Sequence, residues 1–300
     1  MDTATVDIDS VSAVSFREKL SAYVELTKPR IAFLLVLTSA AGFYLATNEG
    51  FNTVLFINSM LGITLLAFGV ATLNQWFERD LDPLMERTEK RPLPSKRVTP
   101  NEALVFGIVQ CAVAEAYLFF LVNSLTAILG MVVIVGYVFV YTPLKTRTSA
   151  STAIGAFPGA LPPLMGWTAA ANEITLGAWA LFVMQLLWQF PHFFAIAWMY
   201  REQYKKAGIL MLPVVEPSGT LTFRQIVLFT IMLVPVSVAP FIFGLSGKIF
   251  LVGAILLGVW FLYASVRSAM DKSNERARKL LLVSVIYLPL LFILMVADKL

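Results

Sequence analysis

The chain has 300 residues, of which 58% are hydrophobic and only 14% are charged. This balance excludes an ordinary soluble domain, and repeated apolar runs near twenty residues long indicate a helical membrane protein. The single cysteine, Cys111, excludes an internal disulfide and a cysteine-based metal site. The net charge of +4 does not indicate a nucleic-acid partner, because the cations follow the membrane topology and its lipid headgroups.

The N-terminal segment, residues 1–30, is predicted to lie in the cytoplasm and lacks the apolar core of a signal peptide. Phe16, Leu20 and Val24 recur at helical spacing beside charged residues, which indicates a short helix at the membrane surface. Residues 31–300 are then predicted to form one transmembrane domain.

Nine membrane-spanning helices are predicted from the apolar runs, so the fold class is an all-α polytopic membrane protein. The predicted spans are residues 31–47, 55–77, 103–122, 125–141, 153–171, 177–199, 224–243, 249–266 and 280–297.

The distribution of cations predicts the orientation of these helices. With the N-terminus in the cytoplasm, 21 of the 23 Lys and Arg residues fall in cytoplasmic segments, and only Lys248 and Lys299 fall outside. Because cytoplasmic loops carry the excess of Lys and Arg, this asymmetry favours an inside N-terminus.

A polar motif ends the second predicted span. Since a helix advances about 100° per residue, Asn74, Glu78 and Asp82 would share a stripe about 80° wide, whereas Asp80 would point the opposite way. Two carboxylates and an amide oxygen suit Mg²⁺, which takes few protein oxygens and leaves other positions for substrate phosphate. The motif therefore predicts a Mg²⁺ site at this helix end.

Cations follow the motif directly. Arg87 and Arg91 lie four residues apart and are predicted to bind a diphosphate bidentately. The alternative is a solvated loop with charges at a helix end, which would carry no chemistry.

A second polar cluster ends the sixth predicted span at Glu202 and Gln203. Both clusters follow a Trp and an Arg, which indicates a faint internal repeat whose polar ends would face each other across a central cavity open to the cytoplasmic side. The two matching stretches are residues 76–79 and 198–202.

Two ionisable side chains are predicted to lie inside spans. His192, the only histidine, shares a helical face with Gln203, and an ionisable group inside a span is a functional candidate, although a packing histidine is the alternative. Glu115 matches no motif, and an interhelical hydrogen bond is predicted for it in preference to a proton path.

The residues of the first motif, together with Met85 and Thr88, match the signature of the intramembrane prenyltransferase (UbiA) superfamily. The chain resembles that superfamily from Leu26 onward. Further stretches resemble its haem-farnesylating branch: residues 141–145 with 147–148, residue 155 with 158–167, and residues 188–193 followed by 207–208 and 211–214.

The resemblance implies transfer of a farnesyl group from farnesyl diphosphate to a vinyl group of haem B, giving haem O, with Mg²⁺ as cofactor. It implies that Lys145 and Arg147 join Arg87 and Arg91 in binding the diphosphate. It also implies that His192 contacts haem or transfers a proton. A bacterial inner membrane, surrounding lipid, and partners such as haem A synthase or the oxidase assembly machinery are further implications.

The sequence departs from the branch at two positions. Gln203 stands where relatives usually carry a carboxylate, and Thr146 stands where a cation is usual, which leaves a second metal and the role of Arg147 open. The superfamily motif also permits an aromatic acceptor, such as a quinone or chlorophyll precursor. A transporter is disfavoured, because its polar groups would lie near the bilayer midplane rather than at helix ends.

Overall fold

The computed structural model describes residues 15–47 and 50–300, and helices dominate this part of the chain. Within these residues, one isolated antiparallel bridge joins Ser246 and Lys299. The predicted all-α class is confirmed. The α-helices are α1 Phe16–Leu26, α2 Pro29–Ala46, α3 Thr53–Glu78, α4 Pro100–Leu121, α5 Ser124–Val133, α6 Thr142–Leu144, α7 Ser151–Gly159, α8 Leu161–Ala171, α9 Leu176–Met199, α10 Arg201–Lys206, α11 Leu212–Val215, α12 Thr220–Ser237, α13 Ala239–Ile242, α14 Lys248–Asp271 and α15 Asn274–Ala297.

Eight helical stretches of the described chain are long and apolar enough to cross a membrane, which makes this a multi-pass membrane protein. They correspond to eight of the nine predicted spans, with ends that differ by a few residues. The stretches are Pro29–Ala46, Thr53–Glu78, Pro100–Leu121, Ser124–Leu144, Leu176–Met199, Thr220–Ile242, Lys248–Asp271 and Asn274–Ala297.

The predicted span 153–171 is divided into two helices, α7 and α8, which meet at Ala160. Pro158 lies in the last turn of α7, and Pro162 and Pro163 lie in the first turn of α8. Since proline has no backbone N–H to donate, these residues interrupt the hydrogen-bond ladder of a continuous helix. Neither helix alone has the roughly 20 residues that a membrane crossing needs.

Helices α2 and α8 approach each other closely enough to require glycine. A Cβ at Gly166 would lie 1.8 Å from the Ser39 carbonyl oxygen, and one at Gly42 would lie 2.1 Å from that of Pro163. The Ser39 hydroxyl donates to the Pro162 carbonyl at 2.8 Å across the same contact. This contact holds α2 against α8. It also positions the junction between α1 and α2.

Helices α3 and α4 form a second close contact, in which the Cys111 side chain packs where Gly69 leaves room. Farther along α4, Glu115 lies over Gly130 of α5. Its Oε1 is buried and makes no hydrogen bond with the described residues, so the interhelical hydrogen bond predicted for Glu115 is absent at this oxygen.

Helix α1 begins at a capping box in which Ser15 and Glu18 bond reciprocally. Its exposed side carries Phe16 and Leu20, whereas its C-terminal end is held by the Gln75 side chain of α3, which donates to the Leu26 carbonyl at 2.9 Å. Residues 1–14 of the predicted N-terminal segment lie outside the described residues. The division of the chain at residue 30 stays a prediction.

Candidate active site

The last turns of α3 place two of the predicted metal ligands inside the protein. Asn74 and Glu78 are buried, at 3% and 7% exposure. The α-helix ends at Glu78, and the Arg79 guanidinium folds back over the Trp76 ring and donates to the Trp76 carbonyl at 2.8 Å. The assumption that the helix continues through Asp82 is therefore wrong.

Asp82 nevertheless points inward. Residues 79–81 form a turn, and Asp82 begins a 3₁₀ helix ahead of Pro83, since a residue before proline is disfavoured in the α conformation. The Asp82 side chain is 1% exposed, whereas that of Asp80 is 81% exposed. The contrast between the two aspartates predicted from helical spacing is present, but a turn produces it.

Arg91 joins the two carboxylates. Its Nη1 donates to Asp82 Oδ1 at 2.8 Å and lies 3.7 Å from Glu78 Oε2. The loop that carries Arg91 is held over the site by Thr88, whose hydroxyl donates to the Asp82 carbonyl at 2.8 Å. Glu78 and Asp82 thus both approach Arg91 Nη1, and the Arg91 guanidinium occupies the space between the two carboxylates.

Lys145 approaches Glu78 from another span. Its Nζ donates to Glu78 Oε1 and lies 4.4 Å from the centre of the Tyr141 ring. A π-helical stretch, Ile134–Tyr141, precedes α6 and changes the direction of the residues that follow it. The hydroxyl of Thr142, the first residue of α6, accepts a hydrogen bond from Asn74 Nδ2 at 3.1 Å.

Lys28 is a site residue that the sequence analysis missed. It lies between α1 and α2 in the left-handed conformation, with φ 48°, and its Nζ donates to Asn74 Oδ1 at 2.9 Å. A lysine directly before a span normally indicates topology alone. The available signal was Pro29, which restricts the residue before it and marks a turn at the helix junction.

The charges of the cluster are held away from water. Burial, together with repulsion from Arg91, lowers the pKa of Lys28 to about 7. Burial also raises the pKa of Asp82, against the opposing effect of Arg91. For Lys145, burial alone would lower the pKa, but attraction to Glu78 outweighs it and the pKa is raised. Cationic side chains outnumber carboxylates here, which favours binding of an anion.

Arg87 lies in a different environment from Arg91. Its Nη2 donates to the Tyr204 hydroxyl at 3.2 Å, and its guanidinium carbon lies 5.3 Å from the Tyr200 ring centre. The Arg87 backbone N–H donates to Gln203 Oε1 at 3.3 Å. The first motif therefore contacts the second polar cluster, and Gln203 connects them through its amide oxygen.

Two predicted site residues lie outside this cluster. Arg147 is exposed. The Glu202 side chain is 75% exposed and is paired with its neighbour Arg201 at 3.8 Å. The Arg201 guanidinium in turn lies over the Trp198 ring and donates to the Trp198 carbonyl at 2.8 Å, as Arg79 does with Trp76. The repeat predicted from sequence thus has the same local structure at both helix ends.

His192 lies within α9, apart from the cluster. Its Nδ1 is 2.9 Å from the Ser284 hydroxyl of α15, and its ring stacks on Trp188 at 4.7 Å between centroids. In the described residues, no group of three or more His, Cys, Asp and Glu side chains could hold a metal ion. The oxygen donors available at the cluster are the carboxylates of Glu78 and Asp82 and the amide of Asn74.

The buried carboxylates and cations where the spans end form a candidate anion-binding site in a multi-pass helical membrane protein. The model of the UbiA prenyltransferase family matches residues 35–293. The chain belongs to this family.

Three relatives named protoheme IX farnesyltransferase match almost their full length. The protein of Solibacter usitatus is 46% identical over 286 residues, covering 92% of this chain and 98% of the relative. That of Koribacter versatilis is 41% identical, covering 93% and 94%. That of Salinibacter ruber is 42% identical, covering 92% and 98%.

Solved structures share the fold at low sequence identity. A structure described as digeranylgeranylglyceryl phosphate synthase has a TM-score of 0.79 at 18% identity, covering 94% of this chain and 98% of the other. A UbiA homologue from Archaeoglobus fulgidus, bound to GPP and Mg²⁺, has a TM-score of 0.65 at 16% identity, covering 92% and 99%. These likenesses confirm the family fold.

Proposed function

We propose that the protein transfers the farnesyl group of farnesyl diphosphate to a vinyl group of haem B, forming haem O and releasing diphosphate. The observation that carries this proposal is the 46% identity to a protoheme IX farnesyltransferase over nearly the whole of both chains. Haem O would then serve the assembly of haem-copper oxidases.

The buried cluster supports the first chemical step. Breaking the allylic C–O bond concentrates negative charge on the departing diphosphate, so cations fixed beside it stabilise the transition state more than the bound substrate. Arg91 and Lys145 are held by buried carboxylates, and Lys28 by Asn74. These three cations are held in place before the substrate binds. Arg87, which contacts the second polar cluster, adds a fourth cation.

The donor atoms fit Mg²⁺. Glu78 and Asp82 converge on a single cationic nitrogen, and Asn74 Oδ1 accepts from another, so hard oxygen atoms already surround positive charge. When bound there, Mg²⁺ would act as a Lewis acid on the diphosphate. When Mg²⁺ and diphosphate bind, Arg91 would release Asp82, and Lys28 would release Asn74. Both cations would then donate to diphosphate oxygens.

Aromatic side chains near the cluster support the second step. Tyr141 lies beside Lys145, and Tyr200 and Tyr204 lie beside Arg87. Aromatic faces exclude water and attract cations, so they can shield an allylic cation until the vinyl carbon attacks it. Arg147 and Glu202 are exposed and contribute no contact to this cluster.

Product analysis tests the proposal. Purified protein is incubated with haem B, farnesyl diphosphate and Mg²⁺, and haem O is measured by mass spectrometry. We expect haem O from the wild type and little from Asp82→Asn, with loss of activity after EDTA that Mg²⁺ restores. Absence of haem O, with prenylation of an aromatic acceptor instead, would replace this function by the alternative.

The location is proposed from charge. We place the protein in the bacterial inner membrane with its N-terminus in the cytoplasm, because 21 of the 23 Lys and Arg residues then lie inside. Reporter fusions after Asp271 and after Gly247 should report cytoplasmic and extracytoplasmic positions respectively. The reverse pattern would invert the topology.

A further inference from the structure

The side chain of the only histidine makes one hydrogen bond with the described residues, and the partner in that bond determines which ring nitrogen carries the proton. His192 Nδ1 lies 2.9 Å from Ser284 Oγ, and the same Ser284 hydroxyl lies 2.7 Å from the Leu281 carbonyl oxygen. Ser284 is fully buried, so water does not compete for its hydrogen bonds.

A hydroxyl carries one proton, and a carbonyl oxygen can only accept. The bond to Leu281 therefore uses the proton of Ser284, and Ser284 Oγ must accept from His192. The neutral imidazole then carries its proton on Nδ1, and its Nε2 has a free lone pair. In a neutral histidine, the hydrogen bond at one ring nitrogen determines the chemistry of the other.

We propose that Ser284 is a positioning residue that fixes His192 in this form, so that Nε2 coordinates the iron of the haem substrate. This inference rests on the proposed function. In this form Nε2 has no proton to donate, so of the roles left open for His192 the inference selects a ligand to haem. Imidazole is a common axial ligand of haem iron, and metal-bound histidines usually donate their other N–H to a fixed acceptor.

Trp188 fixes the plane of the imidazole ring. It lies one turn before His192 on α9, and its ring stacks on the imidazole with an interplanar angle of 26°. Its Nε1 donates to the backbone carbonyl of Ser284 at 2.8 Å. Ser284 thus binds Trp188 and His192 together, and the two rings cannot rotate independently.

The position of His192 along α9 suits a haem that extends toward the diphosphate site. Tyr200 follows the last residue of α9 and lies beside Arg87. The eight residues from His192 to Tyr200 span about 12 Å along the helix axis. Because the iron lies at the centre of the porphyrin ring, a haem bound at His192 would extend half its width along α9 and place a vinyl group between His192 and Tyr200.

Resonance Raman spectroscopy of ferrous haem B bound to the purified full-length protein tests the assignment. We expect an iron–imidazole stretching band in the wild type, its loss in His192→Ala, and its return when imidazole is added. In Ser284→Ala the band should move to lower frequency, because Nδ1–H loses its acceptor. Haem affinity should fall about tenfold.

Conservative and matched variants separate positioning from packing. Ser284→Thr keeps the hydroxyl and should keep the wild-type frequency. Ser265→Ala removes another buried hydroxyl, which lies 2.9 Å from Thr230 Oγ1 between α14 and α12, and should leave the band unchanged. Binding of labelled farnesyl diphosphate reports folding in each variant. Should Ser284→Ala fail to fold, Ser284→Cys supplies a weak acceptor of similar shape and the same band shift is expected.

Two results would overturn the inference. One is the absence of an iron–imidazole band from wild-type protein with bound haem. This holds even if haem O still forms, because His192 would then act as a base toward water. The other is an unmoved band in Ser284→Ala. Failure of the proposed function looks different, because the band would be present while no haem O forms.

Discussion

One nitrogen of Arg91, Nη1, lies 2.8 Å and 2.9 Å from the two carboxylate oxygens of Asp82. Sequence spacing predicted that Arg87 and Arg91 act as a pair on the diphosphate. In the structure their partners differ, because Arg87 bonds to the Tyr204 hydroxyl. Each arginine therefore has its own supporting side chain, and the two approach the substrate position from different polar clusters.

Arg91→Lys should lower kcat/KM for farnesyl diphosphate about 10- to 100-fold, because an ammonium cannot keep two carboxylates and a diphosphate in one planar arrangement. Steady-state kinetics measures the effect. The matched control is Arg97→Lys, since Arg97 pairs with Glu25 at 2.7 Å away from the cluster. Full activity in Arg91→Lys would show that this residue serves topology alone, and equal losses in both variants would show that the effect is not specific to the cluster.

Asp82→Asn should abolish most activity, whereas Asp80→Asn should leave it nearly unchanged. The Asp82 side chain is 1% exposed, and the Asp80 side chain is 81% exposed. Of these two aspartates, only Asp82 holds Arg91 and is placed to supply an oxygen to a metal. Haem O formation at several Mg²⁺ concentrations provides the measurement, and comparable sensitivity of Asp80 would contradict the turn after Glu78.

Lys28→Met should raise KM for farnesyl diphosphate about tenfold with a smaller effect on kcat, because it removes one charge-assisted hydrogen bond from an anion site. Lys90→Met is the control, since Lys90 is an exposed lysine of the loop between α3 and α4. Isotope-labelled substrate binding separates affinity from turnover. An unchanged KM in Lys28→Met would leave this lysine as a helix-junction residue only.

Lys145→Met should lower the free energy of unfolding by about 3 kcal/mol, because it leaves the buried Glu78 carboxylate with a weaker partner. Lys279→Met, which breaks an exposed pair with Glu275, should lower the free energy of unfolding far less. Denaturation in detergent gives both values. Adding Glu78→Gln to Lys145→Met should restore part of the stability without activity, and a further loss of stability would refute the buried-pair interpretation.

The sequence was sufficient for eight of the nine predicted spans and for the polar residues that end the second span, because apolar runs and polar helix ends are local patterns. It was insufficient where a turn or a distant contact decides the geometry. Asp82 points inward through a turn before Pro83, and Lys28 reaches Asn74 through a left-handed residue. Ser284 carried no signal at all, since its partner His192 is 92 residues away.

Lys28 belongs both to the junction that follows α1 and to the hydrogen bond with Asn74. Helix α1 exposes Phe16 and Leu20, the side chains that a lipid surface would bind. Binding free energies at two coupled positions are reciprocal. A lipid composition that stabilises α1 in the conformation bonded to Asn74 would therefore change substrate affinity through Lys28. Bound substrate would change the affinity of α1 for the lipid by the same factor.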